Sequence, residues 1–83
     1  MIKILFFASL RETLGCAELQ LPAAEKNATV ATLLQGLLQQ YPQWQEVLTA
    51  PNILISRNRE MAKTGTLIQA GDEIAFFPPV TGG

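Results

Sequence analysis

The chain has 83 residues, of which 48% are apolar and 16% are charged, and its formal net charge is −1. An apolar fraction of this size favours one folded domain, because disorder accompanies low hydrophobicity and high net charge. The weak charge argues against nucleic acid and membrane surfaces as partners, since both are bound through clusters of Lys and Arg. We therefore expect a single small globular domain.

The residue inventory excludes several kinds of chemistry. Histidine is absent and Cys16 is the only cysteine, which we expect to be a packed or loop residue. The chain thus lacks the commonest general base and the four ligands of a structural zinc site, so we expect no metal. No apolar run reaches the roughly 20 residues of a membrane span, and the N-terminus does not resemble a signal peptide. These features predict a cytoplasmic protein with no catalytic side chains of its own.

The N-terminal part of the chain predicts two strands. Residues 2–8 form a β-branched and aromatic run of strand length, and residues 18–21 alternate polar and apolar side chains before Pro22. Gly15 and Cys16 lie in a suitable connection between them. The two strands are therefore expected to pair as a β-hairpin.

The pattern over residues 30–41 predicts a helix. Apolar residues recur there at i, i+3, i+4, i+7, i+8 and i+11, which is the stripe of a helix with one buried face. Thr29 is well placed as the N-cap, and Pro42 should end the helix. Trp44 and the apolar residues after it predict a further short helical turn over the edge of the core.

The C-terminal part of the chain predicts two more strands. Residues 52–56 and 73–77 are apolar runs of strand length. Between them lie a polar turn at residues 57–59 and a short apolar piece around Met61. Two early strands, a helix and two or more later strands make an α+β domain, with the helix packed across one face of the sheet.

Two of the predicted strands carry large apolar residues on both faces. If Phe6 faces the helix, its neighbour Phe7 faces away, and Phe77 faces away when Phe76 is buried. A loop or the segment around Trp44 could cover these side chains. An exposed apolar patch otherwise marks a partner surface, and we favour an interface built around Phe7 and Phe77.

The last residues, 79–83, read Pro-Val-Thr-Gly-Gly and follow directly on Pro78. Tandem prolines stop a strand and favour an extended exit from the domain. Five residues reach at most about 16–18 Å, enough to enter a pocket of a partner protein. Gly82 and Gly83 have no side chains and can pass through a narrow channel. We therefore divide the chain into a globular domain, residues 1–78, and an extended flexible tail.

Both ends of the sequence resemble a known family. Residues 75–83, Ala-Phe-Phe-Pro-Pro-Val-Thr-Gly-Gly, together with Gly-Asp-Glu at residues 71–73, are similar to the C-terminus of the small subunit of molybdopterin synthase, the MoaD-type sulfur carriers. Residues 2–8, followed by Arg11, Glu12 and Gly15, resemble the opening of that family. The resemblance implies a ubiquitin-like β-grasp fold, a mixed sheet with one main helix across one face.

The resemblance also implies a function for Gly83. In this family an E1-like enzyme uses ATP to adenylate the terminal carboxylate, and a persulfide-generating system then supplies sulfur for a thiocarboxylate. The large subunit of molybdopterin synthase accepts the tail, and the sulfur passes to cyclic pyranopterin monophosphate to form the molybdopterin dithiolene. The synthase is expected to be a heterotetramer. The carrier itself binds no cofactor, because ATP is used by the activating partner.

Residue roles follow from the same resemblance. Gly83 is the reacting residue, and the turn at residues 57–59 departs from the family pattern, which leaves partner contacts near it open. Arg11 either pairs with an acidic group of a partner or is a solvated surface residue. The segment threaded into the partner is Pro79, Val80, Thr81 and Gly82. The candidate contacts on the domain are Phe7, Phe77, Arg11 and Met61.

Other functions remain open at this point. One is a sulfur carrier for another pathway, such as thiamine thiazole synthesis. Another is a ubiquitin-like modifier or interaction module, whose terminal glycines would form an isopeptide bond with lysine. A free-standing enzyme is disfavoured, since Asp72 and Glu73 are adjacent in a strand and would point to opposite faces rather than share a reaction centre.

Overall fold

The computed structural model describes residues 1–22 and 28–78, and within them no helix is long and apolar enough to span a bilayer. The proposed boundary between domain and tail stays a prediction, because residues 79–83 lie outside this range. The strands are β1 (Ile2–Phe6), β2 (Glu18–Leu21), β3 (Leu54–Arg57), β4 (Glu60–Ala62) and β5 (Glu73–Phe77). The helices are α1 (Ser9–Leu14), α2 (Val30–Gln40) and α3 (Gln45–Leu48), with a 3₁₀ turn at Pro42–Trp44.

The strands form one mixed sheet in the order β2-β1-β5-β3-β4. β1 runs parallel to β5, from the pair Lys3 and Glu73 to the pair Phe6 and Phe76. The other neighbours are antiparallel. The strand that leads towards the C-terminus is therefore the central strand, with a hydrogen-bonded neighbour on each side. The predicted strand at residues 73–77 is confirmed, whereas β3 starts two residues later than predicted.

The hydrophobic core lies between the sheet and α2. Alternate residues of β1 and β5 are fully buried on this side, and α2 contributes one apolar stripe, as predicted. The ring of Phe6 lies 5.4 Å from that of Trp44 in an edge-to-face arrangement and 5.9 Å from that of Phe76. Burying aromatic pairs of this kind stabilises the fold beyond their apolar area. The core residues include Ile2, Ile4, Phe6, Val30, Leu33, Leu37, Trp44, Leu48, Ile74 and Phe76.

The ends of α2 agree with the sequence prediction. Thr29 is the N-cap, and its hydroxyl accepts a hydrogen bond from the backbone N–H of Thr32 at 3.3 Å. The helix ends at Gln40, and Pro42 begins the 3₁₀ turn, where its missing N–H costs nothing. The following turn and α3 carry the buried side chains of Trp44 and Leu48.

The connection between β1 and β2 differs from the prediction. The first strand ends at Phe6, and α1 (Ser9–Leu14) occupies the place of the predicted hairpin loop. Leu10 is buried and Leu14 is half-buried, one turn apart on the same face of α1. Gly15 ends α1 in the left-handed conformation, with φ 70°. Six residues are too few for a helical period to stand out, which explains why α1 was missed.

Candidate partner surface at the base of the tail

The sheet face opposite α2 is apolar near its centre. One row of paired residues crosses it, in which Leu5 pairs with Ala75, Ala75 with Ser56, and Ser56 with Met61. The neighbouring row, which contains Phe6, is buried on the helix side, so this row faces the other way. We call this surface the open face. Its residues are Leu5, Phe7, Leu54, Ser56, Met61, Ala75 and Phe77.

Phe7 and Phe77 lie next to each other at one end of the open face. The backbone N–H of Phe7 donates to the carbonyl of Phe76 at 3.2 Å, so the pairing of β1 with β5 continues one residue past the strand. Phe77 pairs on its other side with Leu54 of β3. The side chain of Phe7 is 46% exposed and that of Phe77 is half-buried.

Trp44 does not cover these residues. Its ring contacts Phe6 and stacks on Tyr41 with 4.2 Å between centroids, which places it on the core side of the sheet. The alternative that the segment around Trp44 shields Phe7 is therefore wrong. Within residues 1–22 and 28–78, Phe7 and Met61 are among the few large apolar side chains that remain exposed. The apolar patch predicted from sequence exists on the open face.

The other two predicted contacts lie near this end or along the same face. Arg11 is exposed on α1, which contacts β5, and its side chain has no hydrogen-bond partner among the described residues. Met61 is 66% exposed on β4, the edge strand, in the row next to Phe77. Phe7 and Phe77 thus lie at the point where β5 leads into Pro78, Arg11 lies on the helix that follows Phe7, and Met61 extends the surface towards the edge.

The tail itself lies beyond the described part of the chain. The predictions for Pro79, Val80, Thr81, Gly82 and Gly83 all fall there. The structure places only its base, Pro78, which directly follows the central strand. Whatever the tail does, it starts at the apolar end of the open face.

The polar turn at residues 57–59 lies at the opposite end of the sheet, because β3 runs antiparallel to β5. It is a two-residue hairpin turn in which Asn58 and Arg59 have positive φ, 51° and 72°. The departure from the family pattern therefore lies far from the tail base. The side chains of Arg57 and Asn58 in this turn donate hydrogen bonds to the buried carboxylate of Asp72.

Asp72 connects this turn to the start of β5. Its carboxylate accepts hydrogen bonds from Arg57 Nε at 2.7 Å, Asn58 Nδ2 at 3.0 Å and the backbone N–H of Gln69 at 2.8 Å. Its backbone carbonyl accepts a hydrogen bond from the backbone N–H of Lys3 at 3.1 Å. These hydrogen bonds brace the hairpin turn against the starts of β1 and β5. No group of three or more potential metal ligands occurs within the described residues.

Burial and hydrogen bonding act on the pKa of the Asp72 carboxyl in opposite directions. Burial of the side chain, which is 5% exposed, raises the pKa of this carboxyl. Hydrogen bonds from Arg57, Asn58 and Gln69, together with the charge of Arg57, outweigh burial and hold the pKa below its usual value. The carboxylate is therefore ionised at neutral pH and stabilises the fold, with no proton to give or take near pH 7.

Sequence reasoning missed two residues that neighbour Phe7 and Phe77 near the start of the tail. Leu54 was placed in a strand, but its position beside Phe77 depends on the register of β3. Ala8 follows Phe7 with φ 55° and ψ −131°, a conformation that alanine rarely adopts. No property of an alanine in a sequence indicates such a backbone, so no signal could have found it.

Comparison with known proteins identifies the family. The sequence model of the ThiS family matches residues 4–83. The chain belongs to the ThiS family. It is 39% identical to the molybdopterin synthase sulfur carrier subunit of Escherichia coli and 37% identical to that of Haemophilus influenzae, each over 83 residues and 100% of both chains. The resemblance seen in the sequence is thereby confirmed.

Solved structures confirm the fold of this ThiS-family chain. The crystal structure of SAMP1 from Haloferax volcanii matches with a TM-score of 0.84 and 32% identity, over 99% of this chain and 98% of the other. A complex of subunits 1 and 2 of molybdopterin-converting factor from Helicobacter pylori matches with a TM-score of 0.66 and 24% identity, over 99% and 97%, and shows the fold alone. The predicted ubiquitin-like β-grasp is confirmed.

Proposed function

We propose that this chain is the sulfur carrier subunit of molybdopterin synthase and that its reacting group is the carboxylate of Gly83. The observation that carries the proposal is the match along the whole chain to relatives bearing that name, at 37% and 39% identity. The structure adds an apolar surface around Phe7 and Phe77 at the base of the tail. A carrier needs such a surface, since each partner must hold the domain while it handles the tail.

The chemistry requires activation by a partner. A terminal carboxylate is ionised at neutral pH and resists nucleophilic attack. In the proposed sequence its oxygen attacks the α-phosphate of ATP on an E1-like enzyme, and pyrophosphate leaves. A persulfide sulfur then attacks the acyl carbon and AMP leaves, after which a thiol cleaves the sulfur–sulfur bond and releases the thiocarboxylate. ATP serves the activating enzyme, and the carrier binds no cofactor of its own.

The second partner in the proposal is the large subunit of molybdopterin synthase. Pro79, Val80, Thr81 and Gly82 would carry the Gly83 thiocarboxylate into its active site, where sulfur passes to cyclic pyranopterin monophosphate. The relatives at 37% and 39% identity are named as a subunit of molybdopterin synthase, which supports a contact with another subunit. Two carriers and two large subunits would make a heterotetramer in the cytoplasm. Attachment to a protein keeps the sulfur at high effective concentration next to its acceptor.

Intact-protein mass spectrometry tests the carrier role. The chain is incubated with its E1-like enzyme, ATP and a persulfide donor, beside a variant that lacks Gly83. We expect a mass increase equal to the exchange of one oxygen for sulfur in the full chain and none in the variant. An unchanged full chain, under conditions that modify a known carrier, would refute the proposal.

Addition of the large subunit and cyclic pyranopterin monophosphate then tests the pathway. Loss of the sulfur from the carrier with formation of molybdopterin supports the synthase. A stable thiocarboxylate that no large subunit discharges would indicate a carrier for another pathway, such as thiamine thiazole synthesis.

A protein modifier is the second candidate function. It is favoured by the similarity to small archaeal modifier protein 1 of Haloferax volcanii, which is 34% identical over 93% of this chain. A modifier forms isopeptide bonds with lysine, so tagged chain expressed in cells would appear in conjugates of higher mass. A chain that acts purely as a sulfur carrier should form none, and the variant lacking Gly83 is the control for both functions.

A further inference from the structure

Among the described residues, β2 pairs with β1 alone and so forms one edge of the sheet. The backbone N–H of Phe6 donates to the carbonyl of Ala17, just before β2, at 2.9 Å, which makes these two residues a hydrogen-bonded pair. Hydrogen-bonded pairs alternate with non-bonded pairs along an antiparallel ladder. The backbone N–H and C=O groups of Glu18 and Gln20 therefore point away from β1, towards the free edge.

The rest of the described chain leaves this edge almost unused. Within residues 1–22 and 28–78, the thiol of Cys16 donates to the carbonyl of Glu18 at 3.5 Å, and no other hydrogen bond reaches the backbone of Glu18 or Gln20 from outside β1. Unpaired groups of this kind at a sheet edge are a template for a further strand. The edge can therefore accept an extended segment of another chain.

A shallow groove of about 160 Å³ lies beside this edge, between β2 and α2. A cavity of roughly 150 Å³ holds a benzene-sized group, so the groove has room for one aliphatic side chain. Its described lining is uncharged, and a charged side chain would lose its water there without gaining a counter-charge. The lining residues are Leu21, Pro22, Thr32, Leu33, Gly36 and Gln40.

Gly36 stands out in this lining, because glycine destabilises the interior of a helix relative to alanine. A Cβ atom at Gly36 would meet no described atom within 4 Å beyond its own stretch of helix, so packing does not require a glycine. The backbone does not require one either, since it is helical there. The missing side chain instead leaves the groove open on the side of α2.

We propose that β2 and the groove bind an extended segment of a partner protein, which adds to the sheet as a further strand. Side chains of an added strand alternate between the open face and the helix side. Those opposite Leu19 and Leu21 lie on the helix side and are apolar, so that one of them fills the groove. The residue opposite Glu18 lies on the other face and is basic, because opposite charges pair favourably across strands.

The charge of Glu18 also favours a foreign segment over a second copy of this chain. β2 reads Glu-Leu-Gln-Leu, so pairing with the same strand of a second copy would give Glu18 no basic neighbour. The site does not include the tail, and the inference thus goes beyond the proposed function. Because the groove lies on the helix side of the sheet, the segment would tether the domain and leave the centre of the open face free.

Titration of the isotope-labelled chain with a capped peptide, followed by NMR, tests the site. The peptide contains Ile-Thr-Val-Lys, which in the antiparallel direction places Ile opposite Leu21, Val opposite Leu19 and Lys opposite Glu18. We expect saturable shifts of the amide signals of β2 and of the groove side of α2. Methylation of the Thr nitrogen should abolish binding, because that N–H faces β2, whereas methylation of the Val nitrogen should not. Equal binding of the two methylated peptides, or no saturable shifts with the parent peptide, would overturn the inference.

Variants of the protein test the same two features. Gln20→Pro removes an edge N–H that faces solvent, where a strand tolerates proline, and Gln20→Ala is the control that keeps this N–H. Gly36→Leu fills the groove, and Gln35→Leu adds the same side chain at an exposed position of α2 outside it. We expect Gln20→Pro and Gly36→Leu to weaken peptide binding about tenfold, and the controls to change it less than about twofold. Unchanged affinity in Gln20→Pro and Gly36→Leu would refute the site.

The charge of the peptide and the state of the free chain decide the kind of occupant. A peptide with Glu in place of Lys should bind about two- to fivefold more weakly, and Glu18→Gln should remove this difference. Equal affinity of the parent chain for both peptides would contradict the basic partner. Sedimentation should show a monomer. A dimer that Gln20→Pro dissociates would assign the edge to a second copy and overturn the proposal.

Discussion

The two ends of the sheet are built in opposite ways. At one end the carboxylate of Asp72 is buried and bonded by Arg57, Asn58 and the backbone of Gln69. At the other end Phe7 is exposed beside Phe77, and the side chain of Arg11 has no partner among the described residues. The first end satisfies its polar groups internally, whereas the second leaves apolar area that only another molecule can bury.

Both ends also contain non-glycine residues with positive φ, a conformation that L-residues avoid, but these residues differ in what stabilises them. Asn58 tolerates positive φ, and its side chain bonds both Asp72 and the N–H of Glu73, so its turn is braced. Ala8 is an alanine with no side-chain bond to offset its strain. The hairpin turn away from the tail is thus braced by side-chain hydrogen bonds, whereas the turn at Ala8 is not. The prediction with the largest expected effect compares two adjacent phenylalanines, Phe6 and Phe7.

Phe6→Ala and Phe7→Ala should separate stability from docking. Phe6 is 1% exposed, so its removal should lower the free energy of unfolding by about 3–5 kcal/mol. Phe7→Ala should change it by less than about 1 kcal/mol but weaken large-subunit binding by about 2 kcal/mol. Urea unfolding and titration calorimetry measure the two quantities. Similar destabilisation by both changes would show that Phe7 belongs to the core.

Asp72→Asn should destabilise the chain without affecting docking. The amide group of asparagine presents a donor where Arg57 and Asn58 also donate. We therefore expect the free energy of unfolding, measured in urea, to fall by about 2–3 kcal/mol. Glu73→Gln is the matched control, because it changes the neighbouring carboxylate and should have little effect. If affinity for the large subunit falls with Asp72→Asn in the folded protein, the two ends are not independent.

The pH dependence of stability should report the same carboxylate. The pKa of Asp72 is lowered in the folded state, so its contribution is present above the unfolded pKa of about 3.9 and is lost as pH falls through the lower folded value. Stability should therefore decrease below about pH 4, by at most about 1.4 kcal/mol per pH unit from this group. When the free energy of unfolding is measured in urea from pH 6 to pH 2, its decrease with falling pH should be shallower in Asp72→Asn. Identical slopes would mean that other groups control acid stability.

Arg59→Gly should give the smallest effect, a gain in stability. Arg59 has φ 72° in the hairpin turn, where glycine is unstrained. Strain relief exceeds the added freedom of the unfolded chain by about 0.5 kcal/mol. Arg59→Ala is the control and should give no gain, because alanine keeps the Cβ. A stabilising Arg59→Ala would point to repulsion of the Arg59 charge instead.

How much the sequence predicts depends on how far each feature extends along the chain. The apolar stripe of α2 and the apolar run of β5 are predicted correctly, because long periodic patterns follow directly from burial of one face. Phe7 and Phe77 were placed on the open face by the same alternation. α1 was missed, since its buried residues Leu10 and Leu14 are a single pair without a period to recognise.

The remaining features depend on contacts between distant segments. Asp72 and Arg57 meet only because β3 and β5 pair in one particular register, which no local pattern fixes. The backbone conformation of Ala8 depends on the buried residues on either side of it, Phe6 and Leu10, because alanine itself does not favour positive φ. Arg11 is exposed, and its role, as a partner contact or a solvated surface residue, stays a prediction.

The parallel pairing of β1 with β5 also has a mechanical consequence. If a partner draws in the tail, as proposed above, a pull along the axis of β5 would load a strand that is bonded on both sides. Such a load shears all the hydrogen bonds of both ladders together, whereas a load across an edge strand would peel them one at a time. The Asp72 network anchors the far end of that strand to Arg57 and Asn58. The hydrogen bonds on both sides of β5 would therefore resist tension on the tail together.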